Sequence, residues 1–327
     1  MNRESGGQGS SVSSVLTVTP NPAIDKTVQA PGFMPGSHVR VKVLRRTPAG
    51  KGINVARGIA ALGGCAAACG LVGADERPVY ASLLEQEHIS DCLVAVNAET
   101  RTNTTVLDPE HSTTTHLREQ GFYVSEDDIL RLKEVVLRKL SSLSSAAAKP
   151  TVAFCGSLPP GFSPKALVSV LEAVRQEGGH IVVDGSGDAL QEAVRSGLVD
   201  VVKPNLEELK QCLQREIEPG EAACAARKLL DRVEGILLTL GPRGAYYIAE
   251  EEIVGGRCRL ARKEVVNTVG AGDAFLAGWL YARSRGFKAE KALKWAVSAG
   301  SASVTSRGPV EYESEGVRQM QDNYEQF

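Results

Sequence analysis

Four short apolar runs between residues 151 and 240 each stop at glycine or a polar residue. Residues 151–155 run into Gly156-Ser157-Leu158-Pro159-Pro160-Gly161, and 181–184 into Gly185-Ser186-Gly187. Residues 199–202 lead to Lys203-Pro204-Asn205-Leu206-Glu207-Glu208, and 236–240 to Gly241-Pro242-Arg243-Gly244. Helical patterns separate them. Ser125 with Asp128 reads as a capping box ahead of Ile129, Leu132, Val136 and Leu140, and Ser163-Pro164 as an N-cap followed by a proline in the first turn. Apolar strands alternating with helices require a sheet covered on both faces, and such sheets are mostly parallel. An α/β fold is therefore expected. The polar residues recur at the strands' carboxyl ends, the edge where open α/β sheets bind ligands.

Residues 15–19 add another strand, closed by Pro20-Asn21-Pro22 and leaving Asp25 near its carboxyl end. From this stretch alone, Asp25 fits a ligand site and a turn-stabilising role equally well. Residues 38–46 alternate, with Val39, Val41 and Val43 on one face and Arg40, Lys42 and Arg45 near the other, which predicts a strand with a dry face and a basic face. Pro48-Ala49-Gly50-Lys51-Gly52-Ile53-Asn54 follows, placing Lys51 and Asn54 at the start of an Ala-rich helix that ends at Gly63-Gly64. Residues 93–117 are Thr-rich and β-like, and Arg101 and Asn103, two residues apart, fall on one strand face. Arginine's planar fork suits phosphate. The two β-rich stretches predict either a small sheet closing over a ligand or ordinary edge strands.

The richest stretch is Asn267-Thr268-Val269-Gly270-Ala271-Gly272-Asp273-Ala274-Phe275-Leu276-Ala277-Gly278. Phe275, Leu276, Trp279 and Leu280 repeat at helical spacing. Gly270-Ala271-Gly272 then exposes backbone N–H groups at the positive end of that helix, an anion site. Asp273 beside such a cradle reads as a base for an attacking hydroxyl, or equally as a helix cap over a plain glycine turn. Two other phosphate motifs fail on spacing. A dinucleotide fingerprint needs glycine where Phe275 stands, and a Walker A loop needs glycine at Arg45 and Ser or Thr at Gly52.

The 327 residues carry a formal net charge of −2, which gives no general pull toward nucleic acid or anionic membrane. No apolar run is long enough to span a bilayer, and residues 1–14 are polar and Gly/Ser-rich, expected as a disordered tail without a signal peptide. Seven cysteines without a Cys-x-x-Cys pair predict reduced, buried thiols in a cytoplasmic protein, and five scattered histidines predict no metal cage. Residues 141–149 read as a flexible connection and 313–327 as a polar tail.

Taken in order, Asn21-Pro22-Ala23-Ile24-Asp25, residues 48–56, Gly156-Ser157-Leu158-Pro159-Pro160-Gly161, residues 203–209 and Thr268-Val269-Gly270-Ala271-Gly272-Asp273 resemble the ribokinase-like (PfkB) carbohydrate kinases over residues 15–309. Residues 48–54 and 100–103 are most similar to the 1-phosphofructokinases and tagatose-6-phosphate kinases of that family. The resemblance implies a three-layer αβα fold over residues 15–312, a β-lid drawn from residues 26–48 and 93–120, and a homodimer paired through the lid. It implies Asp273 as the base, with the Gly270, Ala271 and Gly272 amides stabilising charge on the transferred group. Asp25, Gly50, Lys51, Asn54, Arg101, Asn103 and Ser157 match positions around a sugar phosphate. Lys203, Asn205 and Glu208 match the region that arranges ATP phosphates and Mg²⁺, with Glu208 reaching the metal through water, and Thr239, Gly241 and Gly244 match the nucleotide loop. Gly185 stands where many relatives carry Thr or Ser and is left out of the site, and residues 298–308 are too plain to assign adenine contacts. The implied reaction is ATP-dependent phosphorylation of fructose 1-phosphate, with tagatose 6-phosphate and fructose 6-phosphate as alternatives. A non-catalytic sugar-phosphate sensor is the rival class, one that would be expected to have lost Asp273 or its loop.

Overall fold

The computed structural model describes residues 14–144, 149–306 and 308–327. The tail expected over residues 1–14 lies, but for Ser14, outside the described residues, as do residues 145–148 of the expected flexible connection.

In chain order, β1 (Val15–Thr19) leads to β2 (Ala23–Gln29) and β3 (Lys42–Ala49), then α1 (Lys51–Ala61), β4 (Ala66–Gly73), α2 (Arg77–Gln86) and β5 (Ser90–Val96). After β6 (Thr102–Asp108) and β7 (Thr113–Arg118) the alternation is regular: α3 (Glu126–Leu143), β8 (Thr151–Cys155), α4 (Pro164–Gln176), β9 (His180–Asp184), α5 (Gly187–Arg195), β10 (Val201–Val202) and α6 (Leu206–Leu213). The chain closes with α7 (Ala222–Ala226), β11 (Gly235–Thr239), β12 (Ala245–Ile248), β13 (Ile253–Cys258), α8 (Ala271–Ser284), α9 (Ala289–Val304), α10 (Ser314–Met320) and β14 (Tyr324–Gln326).

Ten strands form the central sheet in the order β14-β13-β12-β11-β10-β9-β8-β1-β4-β5. From β11 to β5 every pairing is parallel, and β12, β13 and β14 add an antiparallel edge. One apolar cluster, with Leu132, Leu171, Leu190 and Leu209, packs α3 to α6 on one face; another, with Ile53, Leu276, Trp279 and Leu293, packs α1, α8 and α9 on the other. This is the three-layer αβα arrangement, and parallel pairing lines up the carboxyl ends of β1, β8, β9, β10 and β11. The capping residues act as read from sequence. Ser125 and Asp128 bond reciprocally, and the Ser163 hydroxyl accepts from the Ala166 amide at 3.1 Å.

A separate four-stranded sheet, β3-β2-β6-β7, stands off the carboxyl edge. Its register aligns Asp25, Asn103 and Arg118 across three strands, and Thr27, Thr105 and His116 in the next row. Three boundaries differ from the sequence reading. Residues 93–96, grouped with the lid, belong to β5 at the edge of the central sheet, because Leu93, Val94 and Val96 are buried there. Residues 38–41 lie outside any strand, and β3 begins at Lys42. Residues 313–327, read as a tail, make α10 and then β14, whose residues pair with β13.

Candidate active site

Two glycines bring the site's loops together. Gly270 adopts φ +82 at the start of α8, and a Cβ there would stand 2.4 Å from Cβ of Pro309, so the turn demands glycine twice over. Gly50, at φ +147, precedes α1, and its Cβ would lie 2.7 Å from Thr19 Cγ2 at the end of β1. The helix can therefore begin hard against the carboxyl end of the central strand. These two choices place the N-termini of α8 and α1 side by side, with first-turn amides that have no intrahelical acceptor.

Between them sits a buried charge cluster. Asp273, only 6% exposed, accepts a 2.8 Å hydrogen bond from the side-chain amide of Asn54. Burial raises its pKa to about 6; Lys51 and the Asn54 bond pull it down, while the Asp184 carboxylate pushes it further up. Asp184, fully buried at the end of β9, accepts from Nζ of Lys51 at 2.9 Å and pairs with Nζ of Lys203 at 3.2 Å. Burial alone would push that carboxyl up, but Lys203 and Lys51 outweigh it and hold it below the ordinary carboxylate range. The ammonium of Lys51 is in turn held firmly charged: burial disfavours it, and Asp184 and Asp273 prevail. A Cβ on Gly272 would lie 3.6 Å from Lys203 Nζ, so the glycine loop faces that lysine. The result is amides and two ammonium groups around a base whose proton leaves near neutrality, suited to an anion that gains charge as it reacts.

Lys51, Asn54, Gly272, Asp273 and Lys203, which the sequence assigned to separate sugar-phosphate, transfer and nucleotide groups, are thus brought together in one cluster. Asp184 is the member that sequence reasoning missed. Its signal was available: an acid closing an otherwise apolar buried strand needs a cation. The lid contributes Asp25, which accepts from the Asn103 amide at 3.2 Å and whose carboxyl burial raises. Its inner face and the approach to α8 enclose a cavity of about 800 Å³ lined by Asp25, Thr27, Asn103, Thr268 and Val269. That volume lies within the range usual for small-molecule sites. Arg45 of β3 pairs with Glu311 across its mouth.

Arg101 behaves differently from a phosphate fork. Its guanidinium donates to the carbonyls of Pro22 at 3.2 Å, Glu119 at 3.0 Å and Asn21 at 2.9 Å, tying the lid to the loop after β1. Lys51 and Arg101 therefore have different partners rather than forming one pair. Ser157 accepts from the Asn21 amide at 3.3 Å and shares a groove with Arg101.

The loops after β10 and β11 form a second half of the rim. Asn205 caps α6, accepting from the Glu208 amide at 2.9 Å, while one Glu208 oxygen takes the Asn205 N–H at 2.8 Å. Asn205 also bridges to Thr239, and Gly241 and Gly244 turn the chain at φ +59 and +97. The capping box leaves the second Glu208 oxygen able to accept from a hydrated cation. Glu208 lies close enough to Lys51 to add to its stabilisation. A hard-oxygen carboxylate beside the anion loop fits Mg²⁺ carried in with nucleotide phosphates, which keeps most of its water.

The chain as a whole is similar to known proteins. Residues 18–315 match the pfkB family carbohydrate kinases. The chain belongs to that family. It is 32% identical over 300 residues to 1-phosphofructokinase of Rhodobacter capsulatus, covering 90% of this chain and 92% of the relative. It is 30% identical over 297 residues to the ATP-dependent 6-phosphofructokinase isozyme 2 of Escherichia coli, covering 90% and 93%. The crystal structure of phosphofructokinase-2 from Escherichia coli in complex with potassium superposes with a TM-score of 0.87 at 27% identity, covering 95% of this chain and 98% of that one. As a pfkB family member the chain is a carbohydrate kinase. Among the described residues no helix is long and apolar enough to cross a membrane.

Proposed function

We propose that this kinase transfers the γ-phosphoryl group of ATP to the 6-hydroxyl of fructose 1-phosphate, giving fructose 1,6-bisphosphate and ADP. The observation that carries the reading is Asp273: buried, held by Asn54, and at the N-terminus of α8 with a pKa near 6. The carboxylate takes the hydroxyl proton as that oxygen bonds to the γ-phosphorus, and the bond to the β–γ bridging oxygen breaks. The amides of Gly270, Ala271 and Gly272 receive the charge on the group in transit, and Lys203 faces the same loop. Mg²⁺, when bound, neutralises phosphate charge, with Glu208 as its protein-side acceptor through water. Asp25 and Asn103 hold the sugar hydroxyls from the lid, while Lys51, Gly50 and Ser157 border its phosphate. Arg101 acts there by fixing the loop at Asn21 and Pro22. Thr239, Gly241 and Gly244 line the nucleotide's side. The reading includes one domain from residue 15 through β14, a cytoplasmic place of work, and a homodimer through the lid, whose Val43, Leu44 and Leu117 are exposed.

Fructose 6-phosphate is the second reading, favoured by the similarity to the Escherichia coli 6-phosphofructokinase. Tagatose 6-phosphate is a third acceptor, resting on residues 48–54 and 100–103. An ADP-release assay on these three sugar phosphates and on free sugars decides. The leading reading expects the highest kcat/KM for fructose 1-phosphate; turnover of unphosphorylated sugars alone would overturn it. A non-catalytic sensor would show binding without ADP release.

A further inference from the structure

Away from the transfer site, β4 and β5 hold Cys69 and Cys92 opposite each other as in-register partners. Parallel neighbours lie about 4.8 Å apart with their side chains on the same face, within the Cα separation a disulfide spans. Both pack toward the α3 side of the sheet, Cys69 fully buried and Cys92 half-buried. Lys139 of α3 donates to the Ser90 hydroxyl at 3.0 Å, and Ser90 lies two residues before Cys92 on the same strand face. The Cys69 thiol and the Ser90 hydroxyl lie close enough to the Cys92 sulfur to favour its thiolate. The adjacent carboxylate, Asp91, belongs to the alternate strand position and is paired with Arg77 at 2.8 Å.

The neighbouring Cys69 thiol is the largest influence bringing the Cys92 thiol down to about 7, with Lys139 and Ser90 adding to it against burial; the same neighbourhood and burial push Cys69 up. By contrast, burial raises Cys155, Cys212 and Cys258. Low-pKa thiolates next to a second thiol are the ones that oxidise reversibly.

We propose that Cys92 and Cys69 form a peroxide-reactive dithiol, with Cys92 the attacking sulfur and Cys69 the resolving one. The Cys92 thiolate attacks a peroxide oxygen; an S–O bond forms, the O–O bond breaks, and the departing oxygen leaves protonated as water or alcohol. The Cys69 sulfur then displaces hydroxide from the Cys92 sulfenic acid, and the hydroxide takes the Cys69 proton and leaves as water. Two thiols give up two electrons and two protons to one peroxide. An external dithiol reverses the change by exchange.

The test uses the full chain. Reduced protein is pulsed with iodoacetamide at pH 7, or with hydrogen peroxide followed by blocking, digestion and mass spectrometry. Cys92 is expected to alkylate on the order of tenfold faster than the exposed Cys65 and Cys224, since its surroundings favour the thiolate. Peroxide is expected to yield a peptide pair joined through Cys69 and Cys92, lighter by two hydrogens. Cys69→Ser should stop that link and leave a dimedone-trappable sulfenic acid on Cys92, and Lys139→Met should slow Cys92 alkylation without touching Cys65. Should Cys69→Ser fail to fold, the wild-type digest still decides. Cys92 reacting no faster than Cys65 and Cys224, or joining any other cysteine in preference to Cys69, overturns the proposal.

Discussion

Asn54 donates its side-chain amide to the Asp273 carboxylate over 2.8 Å, joining the first turn of α1 to the first turn of α8. The bond fixes the base's rotamer and favours its charged form, so it bears on both geometry and proton affinity.

Asp273→Asn keeps the shape and removes the base. The expected outcome is a kcat lower by about 10²–10⁴-fold with ATP binding within a few-fold of wild type, read by steady-state kinetics and nucleotide titration. Unchanged turnover would remove Asp273 from its role.

The same substitution should change stability with pH. The folded pKa of Asp273, about 6, lies above the ordinary aspartate value of 3.8. The folded state therefore binds the extra proton between those values. The stability this gives is fully present below the lower value and lost as pH rises through 6. Relative to wild type, Asp273→Asn should gain up to about 3 kcal/mol between pH 4 and pH 8, measured by denaturant titration at each pH. A constant difference across that window would contradict it.

Asn54→Leu removes a bond to the charged form, so the Asp273 pKa should rise. The acidic limb of kcat/KM, expected near pH 6 in wild type, should move to higher pH. A limb that stays in place would show that another group sets it.

Asp184→Asn should move that limb the opposite way, because the Asp184 charge pushes the Asp273 pKa up. It also leaves Lys51 and Lys203 without their shared carboxylate, a loss of about 3 kcal/mol or more for a broken buried pair. Thermal melts and the pH profile together separate this from a purely structural defect.

Gly270→Ala places a side chain at φ +82 and against Pro309. We expect about 1–3 kcal/mol of destabilisation and, on the proposed reading in which this loop faces the phosphoryl group, a fall in kcat with little change in sugar-phosphate KM.

Much of this was legible in the chain because the strong signals were local. Apolar runs closed by glycine marked β8, β9 and β11, caps marked α3 and α4, and the glycine loop marked α8. What escaped depended on contacts made far along the sequence. Residues 93–96 look equally β-like in a lid or a sheet, and only pairing with β4 decides. Residues 324–326 carry no strand pattern of their own and become β14 because β13 offers an open edge. Arg101 was read from its chemistry, but nearby carbonyls at the end of β1 compete for its donors. The expectation of buried thiols held for Cys69 and Cys155, while Cys65 and Cys224 are exposed. Asp184 was hidden because its partners come from two other loops, one of them 133 residues earlier.

The bridge between residues 54 and 273 spans 219 positions of sequence. A ribosome must therefore have added those 219 residues after Asn54 before the two ends of that bridge can meet. On the proposed reading, a nascent chain released before that point carries no positioned base and spends no ATP.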